Sequence, residues 1–191
     1  YIDLNNDSII DWRDQDVIGY GTFPDLTYGL NLEIQYKGFG LTALFQGASM
    51  FNSMIVDALR GPLQNLGNPF EFHYKYRWQP DPTNPGTNIN PNAKLPAILG
   101  DGTGTNPNNN KASDFWLQDA TYLRLKNLNI SYYLPKNLTK NIKIQIYMAG
   151  SNLFTLSKLG IYKKSVVPEN TESQKFYPPV KTISAGLNIT L

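Results

Sequence analysis

Apolar and polar residues alternate in five stretches of the chain, and each predicts a β-strand, because successive strand side chains point to opposite faces. In residues 27–36, Tyr28, Leu30, Leu32, Ile34 and Tyr36 oppose Gly29, Asn31, Glu33 and Gln35. Lys37-Gly38 supplies a short turn in which glycine is free to take positive φ, and Phe39, Leu41, Ala43 and Phe45 begin a second strand, making a hairpin. A third strand over residues 121–133 sets Leu128, Ile130 and Tyr132 against Asn127, Asn129 and Ser131. Its upstream half puts Tyr122, Arg124 and Lys126 in the parity of Leu128, so the apolar face is expected to end partway, as in a strand leaving a bilayer. Ile142, Ile144, Ile146 and Met148 begin a fourth strand against Lys143, Gln145 and Tyr147. In the fifth, Ile183, Ala185, Leu187, Ile189 and Leu191 form a wholly apolar face opposite Ser184, Gly186, Asn188 and Thr190. Alternation alone fits a soluble sandwich strand or a lipid-facing wall.

The connections favour the wall. They are short at Lys37-Gly38, long over residues 48–120, short and basic over 134–141, and long over 151–180. Outer-membrane barrels sort their connections this way, with tight periplasmic turns and extended extracellular loops. With the C-terminus in the periplasm, both long loops and the acidic segment 1–26 lie outside the cell. Within the first long loop, residues 53–60 suggest a short helix with Ser53 as N-cap and Gly61 after its end. Residues 79–110 are so rich in Pro, Gly and Asn that regular ladders are not expected. Five strands cannot close a single-chain bacterial barrel, whose strand count is even. The expected fold is therefore all-β, the last strands of a larger transmembrane antiparallel barrel.

Composition agrees with that environment. The 191 residues are 13% aromatic and only 17% charged, against about 25% charged in ordinary soluble domains. No apolar run approaches the roughly 20 residues of a spanning helix. Cysteine is absent, which excludes a disulfide framework and a thiolate metal site. A formal charge of +2 gives no reason to invoke nucleic acid.

Two stretches carry candidate chemistry. Residues 3–14 place oxygen ligands at loop positions one, three, five, seven, nine and twelve: Asp3, Asn5, Asp7, the Ile9 carbonyl, Asp11 and Asp14. Hard Ca2+ takes six to eight oxygens, and this spacing lets one loop wrap one ion in a structural role. Ser8 stands where such loops carry glycine, and Asp14 is shorter than the usual glutamate. The alternative is an acidic turn that holds itself by side-chain to backbone hydrogen bonds. The second stretch contains Phe72, His73, Tyr74, Tyr76, Arg77 and Trp78. Its aromatic faces could meet a ligand or a protein partner, with Arg77 orienting a polar group, or could pin the long loop onto the fold. His73 is the sole histidine and has no nearby serine, cysteine or metal motif in sequence.

The acidic loop followed by Ile18-Gly19 and Pro24, then Tyr36-Lys37-Gly38-Phe39, Phe45-Gln46-Gly47-Ala48, Arg77-Trp78-Gln79-Pro80, Tyr122-Leu123-Arg124-Leu125-Lys126-Asn127 and Asn152-Leu153-Phe154 resembles the C-terminal end of SusC/RagA-family TonB-dependent transporters. The blocks occur in family order along nearly the whole chain. The resemblance implies a 22-stranded outer-membrane barrel with an N-terminal plug, a SusD-like surface lipoprotein over it, and energy from the TonB complex. The plug and the TonB-contacting segment would lie outside these residues. The last strand also resembles the signal read by the barrel assembly machinery, although Leu191 stands where phenylalanine is frequent.

The function expected on these grounds is participation in outer-membrane import of oligosaccharides or peptides, with lipid, the rest of the barrel, the lipoprotein and the cargo as partners. A second class is a soluble calcium-stabilised binding module or adhesin. An enzyme has little support, since no paired carboxylates, nucleophile with a base, or phosphate loop occurs.

Overall fold

A computed structural model describes residues 1–63, 68–98, 109, 111–139, 142–170 and 178–190. Five strands form one antiparallel sheet in the order β1-β2-β5-β6-β7: β1 is Leu26–Tyr36, β2 Phe39–Ser49, β5 Tyr122–Tyr133, β6 Lys143–Ser157 and β7 Thr182–Thr190. A separate two-stranded ladder joins β3, Asn52–Met54, to β4, Leu117–Asp119. No described helix is long and apolar enough to cross a membrane. The five long strands hold 9 to 15 residues, and a tilted strand crosses the hydrocarbon layer with about 9–11.

Lys37 and Gly38 both take positive φ, 48° and 89°, the twist a two-residue hairpin needs. A Cβ at residue 38 would meet the Tyr133 carbonyl oxygen at 2.9 Å, so glycine is required there for space as well. The second short connection contains a single helical turn, α3, Lys136–Thr139.

The register lines up apolar residues across the sheet. One row reads Tyr36, Phe39, Tyr132, Ile146, Leu187; the next Ile34, Leu41, Ile130, Met148, Ala185; a third Leu32, Ala43, Leu128, Gly150, Ile183. Phe39 and Tyr132 bring their ring centroids to 4.3 Å. The opposite face carries Asn31, Glu33, Thr42, Asn129, Ser131, Gln145 and Asn188. Leu191, the last member of the expected β7 seam, lies outside the described residues.

β5 corrects the expectation of an apolar face that stops partway. Leu44 pairs with Asn127 and Phe45 with Leu125, so Lys126 is an extra, unpaired residue in a β-bulge. The bulge reverses the parity upstream of it. Leu125 and Leu123 therefore continue the apolar face, in the row Leu30, Phe45, Leu125, Phe154, while Arg124 turns to the polar face. β6 answers with its own irregularity: Asn127 pairs with Ser151 and Leu125 with Phe154, and Asn152 takes φ 51° between them. β6 runs on to Ser157, so residues 151–157, expected in a connection, belong to the strand.

The connection after β2 packs around its own core. Phe51, Ile55, Leu59, Phe72, Leu95 and Trp116 from this connection join Leu159, Tyr162 and Val166 from the connection after β6, resting on Ala48 and Tyr122 of the sheet. The expected helix is shorter than the sequence suggests. α1 spans Asp57–Arg60 with Val56 at its N-cap, and Ser53 sits in β3, where its burial and pairing with Gln118 outweigh its capping preference. Gly61 does end the helix, its N–H donating to the Asp57 carbonyl. A second short helix, α2, covers Glu71–Tyr76.

Candidate functional site

On the polar face, just below the loop core, one register row reads Gly29, Gln46, Arg124, Thr155. The bulge at Lys126 puts Arg124 in that row. Its side chain is 8% exposed, so its charge requires partners. Nε donates to Thr155 Oγ1 at 2.9 Å, and the two terminal nitrogens each meet one carboxylate oxygen of Glu169. Glu169 comes from the connection after β6. This two-pronged pairing matches the planar guanidinium to the planar carboxylate. Lys126, on the bulge itself, donates from Nζ to Gln46 Oε1 at 2.8 Å.

A cavity of about 500 Å³ opens beside this row. The wall contributes Gly29, Gln46, Ala48 and Tyr122, and the loops contribute Phe23, Phe51, Glu169 and Asn170. Gln46 and Asn170 bring amide groups and the aromatics bring flat faces, while the Glu169 charge is already met by Arg124. Such a surface suits a ligand held by shape and neutral hydrogen bonds. Arg124 and Glu169 are 45 positions apart and carry no spacing motif, so nothing in the sequence pairs them. The available signal was a pair of cations, Arg124 and Lys126, within a strand whose other residues are apolar or neutral.

The acidic loop adopts a closed turn. Asp3 Oδ2 accepts from the Ser8 amide, Asn5 Oδ1 from the Asp7 amide, and Asp7 Oδ1 from the Ile9 amide. Asp14 accepts from the Leu4 and Asp11 amides at 2.8 and 2.7 Å. Asp11 caps a single helical turn, Trp12–Asp14, in a reciprocal capping box with Asp14. Ser8, standing where glycine is usual, takes φ 65° itself. Arg13 hydrogen bonds hold the Asp11 carboxyl below its ordinary pKa, and amide donation from Asp11 and Leu4 does the same for Asp14. The loop's hard oxygens match Ca2+ in donor type, and Asp3 Oδ1 is buried without a hydrogen-bond partner. Among the described residues no group of three or more His, Cys, Asp or Glu side chains is placed to hold a metal ion. Asp7 and Asp11 both pair with Arg13 at 2.9 Å.

The aromatic stretch is divided. Phe72 is buried in the loop core with its ring 5.1 Å from Tyr162, and Tyr76 packs partly against the same core. Tyr74 is exposed, and the Arg77 guanidinium lies 4.4 Å from its ring centroid while donating to the Tyr74 carbonyl. Trp78 donates its amide to Leu95, which fastens the following turn. His73 is buried: Nδ1 accepts from the Phe70 amide at 3.1 Å and Nε2 donates to the Leu59 carbonyl at 2.8 Å, which makes it neutral. Burial lowers its pKa from 6.5, and the Leu59 bond opposes that shift.

No protein-family model matches the chain. TonB-dependent receptor P26 of Formosa agariphila is 28% identical over 214 residues, covering 100% of this chain and 19% of that protein. TonB-dependent receptor P3 of the same organism is 25% identical over 205 residues, covering 99% of this chain and 18% of that protein. The chain thus spans under a fifth of the length of these relatives. Among solved structures, the RagAB peptide importer in its closed-closed state superposes with a TM-score of 0.58 at 25% identity, covering 90% of this chain and 18% of that chain. The open-open state gives 0.59 at 24% identity over the same shares. By both sequence and fold, the chain is homologous to the C-terminal region of SusC/RagA-like TonB-dependent receptors.

Proposed function

We propose that the chain supplies wall strands and external loops to a TonB-dependent outer-membrane importer of oligosaccharides or peptides that works with a SusD-like surface lipoprotein. The observation that carries this reading is the apolar face continuous over all five strands. It includes exposed Leu30, Ile130, Met148 and Ile183, backed by a polar inner face. A soluble sandwich would bury that face, whereas lipid accepts it. The relatives are receptors and the superposed structures are a peptide importer, which supports transport rather than catalysis as the role. On this reading further strands, a plug and a TonB contact lie in the rest of the protein, 22 strands in all; that the relatives are about five times as long is consistent with it. The test is fractionation of the native host followed by deletion of the gene. The protein is expected in the detergent-extracted outer membrane, and the deletion is expected to abolish growth on the cognate oligosaccharide or peptide mixture. Recovery in a detergent-free soluble fraction would favour the soluble binding module instead.

We also propose that Ca2+ organises the loop of Asp3, Asn5, Asp7, Ile9, Asp11 and Asp14, with Arg13 withdrawing from Asp7 and Asp11 as the ion enters. The oxygen spacing and the unpartnered Asp3 Oδ1 support this. Calorimetry on the intact receptor should give Ca2+ binding that disappears in Asp3→Ala and Asp7→Ala; heat absent from the unaltered receptor would refute the site.

A further inference from the structure

We infer that Arg124 is a positioning residue for cargo. It clamps Glu169, and with it the segment after β6, onto the inner wall, and so forms one side of the 500 Å³ cavity. The inference rests on the import reading for its functional half and on geometry alone for the clamp.

Arg124 belongs to a strand paired on both sides, by β2 and β6, so its backbone is fixed. Thr155, directly opposite on β6, holds Nε and fixes the plane of the guanidinium. The two terminal nitrogens then face the Glu169 carboxylate. Among the described residues two ion pairs reach this connection, and the Arg124 pair is the more buried one. Lys158 to Asp119, at 3.1 Å, has side chains 65% and 45% exposed, whereas those of Arg124 and Glu169 are 8% and 33% exposed. An exposed pair contributes little, but removing one member of a largely buried pair strands the other charge. Between these two anchors Leu159, Tyr162 and Val166 enter the loop core, so the segment is held at both ends and in the middle. Glu169 and the adjacent Asn170 both line the cavity. Releasing Glu169 would remove that side of the cavity and leave the Arg124 terminal nitrogens without their carboxylate beside it.

The experiment uses the full-length receptor in its host outer membrane, with Glu169→Gln, the charge-swapped pair Arg124→Glu with Glu169→Arg, and Lys158→Ala as a control for the exposed pair. Hydrogen exchange of residues 159–170 reads the clamp. The concentration of a tryptic peptide digest or a mixed oligosaccharide hydrolysate that half-saturates uptake, whichever is taken up, reads the cargo role. Glu169→Gln should accelerate exchange ~ten-fold or more, as expected when one member of a largely buried pair is removed, and raise the half-saturating concentration at unchanged receptor abundance. The charge swap should bring both back toward the unaltered receptor, and Lys158→Ala should move neither. Unchanged exchange in Glu169→Gln would refute the clamp. Accelerated exchange with unchanged half-saturation would refute the cargo role. An unaltered receptor that imports neither mixture would refute the import reading and the cargo role, with the exchange data still judging the clamp.

Discussion

His73 illustrates how a residue that invites a catalytic reading is consumed by structure. Both ring nitrogens are engaged by backbone, one accepting from Phe70 and one donating to Leu59, so the imidazole ties α2 to the end of α1. Only the neutral ring can do this, because a proton on Nδ1 would face the Phe70 amide. Burial lowers the folded-state pKa from 6.5, so the unfolded chain binds the proton more readily. The stabilisation is therefore complete above pH 6.5 and is lost as pH falls through 6.5 toward the folded value. His73→Ala, which leaves the buried Leu59 carbonyl without its partner, should cost about 1–3 kcal/mol. Denaturation of the intact protein at pH 8 and pH 5.5 is expected to show a larger penalty for the substitution at pH 8. An equal penalty at both values would mean that the ring titrates freely. The lone histidine was visible in sequence, but its partners were not, since Leu59 lies 14 positions away in a stretch with no strong pattern.

At the level of elements, alternation located all five long strands, because period-two patterning survives wherever one face is apolar and the other polar. It misassigned the upstream half of β5 for one reason: a bulge adds a residue without leaving a sequence mark, and every side chain beyond it changes face. β6 was read too short for a related reason, its parity being interrupted at Asn152. The short β3 and β4 carry too few residues to show a period at all. The β5 register makes a prediction that separates the bulged strand from an unbroken one. Leu125 is on the apolar face, 7% exposed, in the row with Phe45 and Phe154. Leu125→Arg should cost about 2 kcal/mol or more through lost packing and a charge placed toward lipid. Lys126→Asn, at the unpaired and exposed bulge position, should change stability by less than about 0.5 kcal/mol. Unbroken alternation, with Leu125 among polar neighbours and Lys126 on the apolar face, predicts that Leu125→Arg costs little and that Lys126→Asn, by removing a charge from that face, is stabilising. Thermal unfolding of the two variants of the full-length receptor, followed by circular dichroism in detergent, decides between them.

For the molecule as a whole, the sheet is open at both sides: among the described residues β1 and β7 each pair with one neighbour only. Each edge therefore presents a row of backbone donors and acceptors next to a broad apolar face, with Leu26, Leu30, Ile34 and Tyr36 exposed on β1 and Ile183, Leu187 and Ile189 on β7. In water the apolar face drives association; in hydrocarbon the unpaired edges cost several kcal/mol for each unsatisfied group. Neither solvent suits the 191 residues alone, and closing the sheet with further strands removes both liabilities together. These residues expressed in isolation should therefore form large aggregates in buffer, and in detergent should form oligomers joined through β1 and β7 instead of a single monomeric species. Light scattering after size-exclusion chromatography gives the answer directly. A stable monomer in buffer without detergent would mean that the apolar face is covered within the chain, which would overturn the barrel-wall assignment and return the sandwich reading.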